Sequence, residues 1–285
     1  MQATEQIEIR LLLESDIPAA MQLKETAGWN QTEEDWRRLL KLESDGCFGA
    51  VADGSLVGTT TTTTYDKNLG WVGMVLVQPQ NRRLGIATTL MRTALNYLNG
   101  RVSVIKLDAT QAGKPVYEQF GFNVESVIER WIGTSKSKTG ELQIKAIDCD
   151  TRRDLLELDR RAFNADRTKL INSLIDEANV SPVIRRTSEG VLSGYALARR
   201  GTNADYIGPL VTMEREQVEP LLDQMLDQLN GRRVYIDFNK ECNINSSVLS
   251  DRGFVKKRDF FRMCYGLGSK TTSPFVVGIA GPEIG

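Results

Sequence analysis

Residues 75–91 read VLVQPQNRRLGIATTLM. An apolar run ends at Pro79, two arginines follow, and Gly85 and Ala87 open a segment with helical spacing. Ile86, Leu90, Ala94 and Leu98 recur at intervals of three and four, which predicts a helix over 85–98. WVGMVLV (71–77) predicts the strand that feeds it. A helix entered directly from a strand has first N–H groups without intrahelical acceptors, and those donors attract an anion, phosphate above all. Gly85 has no Cβ to hold a ligand away from the backbone, and Ala87 has the next smallest side chain. Arg82 and Arg83 can pair with phosphate oxygens. The stretch therefore reads as a turn for a pyrophosphate. Taken alone it also fits a strand-to-helix turn with two solvated arginines. It has neither the GxxxxGK[ST] nor the GxGxxG spacing, which argues against a Walker loop and a Rossmann dinucleotide site.

Downstream, LDATQAGKPVYEQFGF (107–122) reads as a strand, a short helix and a stop at Gly121. Tyr117 lies within it, either as a packed aromatic or as a working phenol. Upstream, residues 6–12 predict a strand. Residues 15–27 predict a helix with Ser15 as a cap and Pro18 in the first turn. TEEDWRRLL (32–40) predicts a second helix with a Thr32/Asp35 capping box. Two runs flanking Gly54 predict a hairpin, and the six threonines at 59–64 suit a half-exposed strand. VESVIERWI predicts a further strand.

The pattern then repeats. DGSLVG (53–58) matches EGVLSG (189–194), WVGMVLV matches YIGPLVT (206–212), LNGR (98–101) recurs at 229–232, and FGF (120–122) matches RGF (252–254). Ile7 and Ile9 match Leu142 and Ile144. The order is kept and the offsets drift only between 131 and 136 residues, which indicates a duplicated unit of domain size. The small, polar GTSKSKTG (133–140) is the expected linker, and FVVGIAG near the end is a candidate last strand.

The chain of 285 residues has 36 Lys and Arg against 37 Asp and Glu, too even a balance to hold nucleic acid or an anionic membrane by a global field. No apolar run approaches a membrane span, and the first ten residues lack a signal pattern, so the expected location is cytoplasmic. Cys47, Cys149, Cys242 and Cys264 form no CxxC pair and are expected to be reduced thiols. Histidine is absent, which removes the commonest metal ligand and the commonest general base.

Val77, Pro79, Arg82, Gly85 and Ala87 resemble motif A of the GNAT acetyltransferases, and Tyr117, Gly121 and Phe122 resemble motif B. The whole-chain order, the NADR segment (164–167) and AGPEIG (280–285) are similar to tandem GNAT proteins of the YitH type. The resemblance implies an α/β chain of two tandem GNAT folds, each a mixed, mostly antiparallel twisted sheet flanked by helices. It implies a domain over 1–135 that binds acetyl-CoA and catalyses, and a GNAT-like domain over 136–285. Acetyl-CoA would be the cosubstrate, with no metal. Val75 and Val77 would hold the pantetheine arm, and Arg82, Arg83, Gly85, Ile86, Ala87 and Thr88 the pyrophosphate. An N–H near Val77 would polarise the thioester carbonyl. Tyr117 would protonate the leaving thiolate.

The second repeat has no glycine between Gly208 and Gly231, places Glu214, Glu216 and Glu219 where a pyrophosphate would sit, and has Leu249 at the place of Tyr117. One active site is expected, in the first repeat. Trp29 and Gln31 are candidates for the acceptor pocket, as are Asp166 and Arg167, whose alternative reading is a capping Asp166 with an exposed Arg167. Asp237 and Asn245 are weaker candidates. Glu33, Glu34 and Asp35 read as solvated helix-start charges, with a base acting through water as the other reading. The expected function is acetyl transfer to a primary amine of a small molecule. A peptide or protein amine, or a non-catalytic acyl-CoA sensor or scaffold, are the alternatives.

Overall fold

The computed structural model describes residues 7–136, 147–178, 180–242, 244–266 and 273–285. Leu142 and Ile144, matched in sequence to Ile7 and Ile9, lie outside the described residues, as does most of the expected linker. The described chain packs as two compact units, one running to Lys106 with Ile284, the other over Leu107–Glu283 with Gly285. No described helix is long and apolar enough to cross a membrane.

The first unit contains β1 (Glu8–Leu11), α1 (Ile17–Thr26), α2 (Glu33–Leu42), β2 (Phe48–Ala52), β3 (Ser55–Tyr65), β4 (Leu69–Val77), α3 (Ile86–Leu98) and the start of β5 (Val104–Thr110). The strands lie in the order β1-β2-β3-β4-β5, antiparallel except for β4 with β5. The Thr32 capping box forms as expected: Asp35 N–H donates to Thr32 Oγ1 at 3.4 Å and Thr32 N–H to Asp35 Oδ2 at 2.9 Å. Ser15 does not cap α1. It sits in a 3-10 turn, and Asp16 stands at the N-cap position without a side-chain capping bond to the helix; its carboxylate turns back to accept from Leu13 N–H at 2.8 Å and pairs with Arg10 at 2.7 Å. Ile86, Leu90, Ala94 and Leu98 form the buried stripe of α3.

The threonine run is not half-exposed. Thr59 to Thr63 are between 0% and 2% exposed, because β3 is an interior strand with a helix layer on either face. Gly58 and Gly70 meet Ile86, Leu90 and Leu98 of α3, while α1 and α2 pack on the opposite face.

The second unit contains the end of β5, α4 (Lys114–Glu118), β6 (Asn123–Thr134), α5 (Cys149–Phe163), α6 (Thr168–Asp176), β7 (Val183–Arg186), β8 (Leu192–Arg199), β9 (Asp205–Thr212), α7 (Val218–Gln228), β10 (Arg233–Asn239), α8 (Ser247–Ser250), β11 (Val255–Tyr265) and β12 (Val276–Gly278). Its strand order is β5-β11-β6-β10-β12-β9-β8-β7. The linker expected from Gly133 onward begins inside a strand, since Gly133 and Thr134 pair with Val234 and Arg233. β6 lies between β11 and β10, and these ladders group residues 107–134 with the later part of the chain. Its apolar core joins α7 to the inner face of β8, β9 and β10. All four cysteines are free thiols, and burial pushes Cys47 up to about 12.

The duplication is legible in the backbone. Gly54 and Gly190, Gly100 and Gly231, and Gly121 and Gly253 occupy matching turns, each with positive φ.

Candidate functional site

In the first unit, β4 and β5 pair in parallel only at Leu69–Val104, Gly70–Ile105 and Trp71–Lys106. From Val72 to Val77, β4 has β3 as its sole ladder partner among the described residues. Its other edge is not uniform. The ladder to β3 slips between Thr59 and Thr61, and Met74 takes φ +50 there, a β-bulge. Thr59 Oγ1 donates to the Met74 carbonyl at 2.8 Å. Sequence reasoning missed Met74, since a left-handed non-glycine inside an apolar strand has no compositional signal.

The register also fixes where Val77 points. Gln78 N–H donates to the Val57 carbonyl at 2.8 Å, which makes Gly58–Val77 a non-hydrogen-bonded pair. The N–H and carbonyl of Val77 therefore face away from β3, and Arg82 Nε donates to that carbonyl at 3.2 Å. Val75, two residues earlier, lies beside the bulge.

After the 3-10 turn at Pro79–Asn81, Arg83 and Gly85 adopt φ +65 and +80 with Leu84 between them. Alternation of this kind turns successive N–H groups toward one side and forms an anion nest. Gly85 is the N-cap of α3, and a Cβ built there would meet nothing within 4 Å. Its glycine is required by the left-handed conformation and leaves the approach open. Helical bonding resumes with Thr89 N–H to the Gly85 carbonyl at 2.9 Å. Among the described residues, the N–H groups of Arg83, Leu84, Gly85, Ile86, Ala87 and Thr88 have no backbone acceptor. Arg82 and Arg83 are exposed and have no ion pair among the described residues. The local structure thus brings together all eight cofactor candidates of the first repeat: Val75 and Val77 on one strand, the other six on the turn and first helical residues. Six donors, two guanidinium groups and an open glycine fit a diphosphate.

The second unit begins the same way and ends differently. β9 and β10 pair in parallel at Asp205–Val234, Tyr206–Tyr235 and Ile207–Ile236, again three pairs. Beyond them β12 enters the gap, pairing with β9 at Leu210 and Val211 and with β10 at Phe238. Met213 N–H donates to the Ser193 carbonyl at 2.9 Å, so Thr212 faces the gap as Val77 faces its edge. The Thr212 N–H is bonded to the Phe275 carbonyl at 3.0 Å. Gly208, in the bulge of β9, admits this segment: a Cβ there would lie 2.1 Å from the Ile279 carbonyl oxygen. The turn that follows has no left-handed residue among Met213–Gln217. Glu214 N–H donates to Thr212 Oγ1 at 3.1 Å and Gln217 N–H to the Glu214 carbonyl at 3.2 Å. Glu219 pairs with Arg252 at 3.1 Å.

Tyr117 lies in α4, within the second compact unit. Its ring is half-buried and meets Phe122 edge-on at 6.3 Å. Desolvation pushes its phenol up to about 12, so it stays protonated at neutral pH.

The acceptor-side candidates divide. Trp29 is half-buried and Gln31 buried, both in the turn between α1 and α2. Asp166 is exposed and accepts from Thr168 N–H at 2.9 Å, and the Thr168 hydroxyl together with that N–H holds its carboxyl below the usual range. Arg167 is not exposed, contrary to the alternative sequence reading. It is buried, forked onto Asp159 at 2.9 and 2.8 Å, bonded to the Gly285 carbonyl at 2.9 Å and stacked 3.8 Å from the Phe163 ring centre. Asp237 is likewise consumed, by Arg130 at 2.7 and 2.6 Å and by Tyr206 Oη at 3.0 Å. Asn245 accepts from Ser247 N–H at 2.9 Å. Asp35 is buried against Arg38 at 2.5 Å and is not solvated, and Glu33 pairs with Arg37 at 2.7 Å.

The model of the acetyltransferase (GNAT) family matches residues 12–122, and a model of the acetyltransferase (GNAT) domain matches residues 155–273. The chain belongs to the GNAT acetyltransferases. It is an acyltransferase enzyme with two GNAT domains in tandem. The chain is 24% identical over 253 residues to the uncharacterized N-acetyltransferase YitH of Bacillus subtilis (strain 168), covering 87% of this chain and 88% of that protein. Among solved structures it resembles a putative acetyltransferase from Pyrococcus horikoshii, 20% identical, with TM-score 0.79 over 100% of this chain and 98% of the other. It also resembles a GCN5-related N-acetyltransferase from Sphaerobacter thermophilus, 16% identical, with TM-score 0.65 over 93% and 98%. The two structural likenesses concern the fold.

Proposed function

We propose that this GNAT protein transfers an acetyl group from acetyl-CoA to the primary amine of a small molecule, using the first repeat alone. The observation that carries this reading is the run of six unbonded N–H groups from Arg83 to Thr88, against a second repeat whose corresponding gap is filled by β12. Arg82 and Arg83 add charge to those donors, and the edge of β4 at Val75 and Val77 offers backbone groups to an amide-containing arm. Bound acetyl-CoA supplies the activated thioester. The Val77 N–H, turned away from β3, is the proposed donor to the acyl oxygen, where charge develops as the amine attacks.

Tyr117 is the proposed donor to the departing sulfur. A phenol near 12 lies about 3.5 units above an ordinary thiol. Complete transfer to a water-exposed thiolate is therefore uphill, and the phenol acts first as a hydrogen-bond donor, with transfer completed as the sulfur leaves in a desolvated setting. Trp29 and Gln31 are proposed acceptor-side residues. Arg167 is left out because its guanidinium is saturated by Asp159 and Gly285.

Release of free CoA from acetyl-CoA with a panel of small amines tests the reading. Amine-dependent release that Tyr117→Phe slows by about 10²–10⁴ supports it. Binding of CoA with no release on any amine contradicts it.

A further inference from the structure

Each repeat places its last strand beside the other. β6 ends the first repeat and β11 the second, yet in the order β5-β11-β6-β10 it is β11 that lies beside β5 and β6 that lies beside β10. The two strands also pair with each other, with Ile128 directly opposite Phe260. Those residues are mates under the offset of 132 that aligns FGF (120–122) with RGF (252–254). The ladder is therefore built about matching positions, as an isologous interface is.

Two ion pairs follow the same rule. Arg130 and Arg262 are mates under that offset. Lys106 and Tyr235 stand opposite the matched Trp71 and Tyr206 in the two parallel ladders, which makes Asp108 and Asp237, each two residues on, mates as well. Arg262 of β11 forks onto Asp108 of β5, with Nε at 2.9 Å and Nη2 at 2.8 Å. Arg130 of β6 forks onto Asp237 of β10 through the same atoms, at 2.7 and 2.6 Å. Both pairs are buried, and an arginine fork fixes orientation as well as charge.

The two clamps hold different segments. The one at Asp108 leads to Tyr117. The Thr110 carbonyl accepts the Gly113 N–H at 3.0 Å, and the Gly113 carbonyl accepts the Tyr117 N–H at 3.2 Å. Past α4, the ring of Tyr265 on β11 lies 5.4 Å from that of Phe122, and a Cβ at Gly121 would lie 3.5 Å from it. Phe122 in turn meets Tyr117 edge-on. Lys114 Nζ sits 5.6 Å over the Phe261 ring. β11 thus holds the Tyr117 segment both before and after α4. At the twin clamp Leu249 stands in the place of Tyr117, and the mate of Tyr265 is Gly133, packed on the Phe254 ring.

We propose that Arg262 and Tyr265 are positioning residues for Tyr117, so that the second repeat supports the chemistry of the first through β11. This rests on Tyr117 being the donor to the departing thiol.

The test measures free CoA release from acetyl-CoA with glucosamine, spermidine and tyramine, using the full chain as wild type, Arg262→Lys, Tyr265→Leu, Arg130→Lys, Tyr117→Phe and Arg262→Lys/Tyr117→Phe. Lysine keeps the charge but cannot fork. Arg262→Lys is expected to lower kcat about tenfold or more, with CoA Kd within about twofold of wild type. Tyr265 is 39% exposed, so Tyr265→Leu tests the same support even where Arg262→Lys does not fold, with an expected loss of about threefold or more in kcat. Arg130→Lys, at the twin clamp, should lower Tm as Arg262→Lys does and leave kcat within about twofold of wild type. In the Tyr117→Phe background Arg262→Lys should slow turnover no further, since the group it positions is gone. Equal loss of kcat in the two lysine variants, or a full further loss in the Tyr117→Phe background, would show a general structural role and overturn the proposal. Unchanged kcat in Arg262→Lys or in Tyr265→Leu overturns it for that residue. Unchanged kcat in Tyr117→Phe, or no release by wild type with any of the three amines, overturns the underlying reading, and this proposal with it.

Discussion

The two repeats open the same kind of gap and treat it in opposite ways. In both, a parallel pair of strands separates after three residue pairs. In both, the residue ending the first strand turns its N–H away from the hairpin partner. At Val77 that edge has no ladder partner among the described residues, and the next turn is left-handed at Arg83 and Gly85. At Thr212 the same N–H is bonded to Phe275, β12 completes the ladder, and the next turn is acidic and internally bonded. A duplicated fold can keep its architecture while main-chain hydrogen bonds that one copy leaves unmade are satisfied in the other by its own chain. The donors have to go somewhere, and the two repeats give the two solutions.

The largest expected effect is on turnover. Tyr117→Phe should lower kcat by about 10²–10⁴ while CoA Kd changes little, measured as free thiol release. The pH profile sharpens this. A phenol raised to about 12 stays protonated through pH 10, so kcat should show no decline assignable to Tyr117 below that pH. A falling limb centred near 9 that disappears in Tyr117→Phe would contradict the assignment.

Asp237→Ala should cost the second unit about 3–5 kcal/mol, because it strands the buried Arg130 guanidinium. Chemical denaturation reads it, and Asp237→Asn, which keeps a hydrogen-bond acceptor, should cost less. Gly85→Val should weaken CoA about tenfold or more, through the cost of about 1–2 kcal/mol for a left-handed non-glycine and the distortion of the donor run. Arg82→Ala/Arg83→Ala should weaken it a few-fold, less at high salt, since both side chains are exposed. Glu214→Ala/Glu216→Ala should leave CoA affinity unchanged within about twofold. A gain of a second CoA site in that variant would show that acidic repulsion, and not β12, keeps the second gap closed.

Much of this was legible in the sequence. The strand, Pro79, paired arginines and Gly85 gave the turn, because helix entry and left-handed glycine have local signatures. The α3 stripe and the Thr32 capping box were equally local. The role of β12 was not: FVVGIAG reads as a strand, but nothing local says it would enter between β9 and β10. The bulge at Met74 was hidden for the same reason, since the partner strand decides it. Ser15 does not cap α1 because the chain first makes a 3-10 turn over Glu14–Asp16, closed by the Asp16 carboxylate on Leu13 N–H and paired with Arg10. The threonines read as half-exposed because composition reports strand propensity and not which strand ends up in the interior. Arg167 is buried against Asp159, a partner that the fold brings into register, whereas Asp35 pairs with Arg38 one turn along the same helix, a local spacing whose burial only the packing of α2 decides.

Calorimetric titration of the full chain with CoA tests the central claim most directly. The account predicts about one site per chain, weakened by Gly85→Val and by Arg82→Ala/Arg83→Ala, and indifferent to substitutions at Glu214 and Glu216. Two sites, or one site insensitive to changes at 82–88, would contradict it.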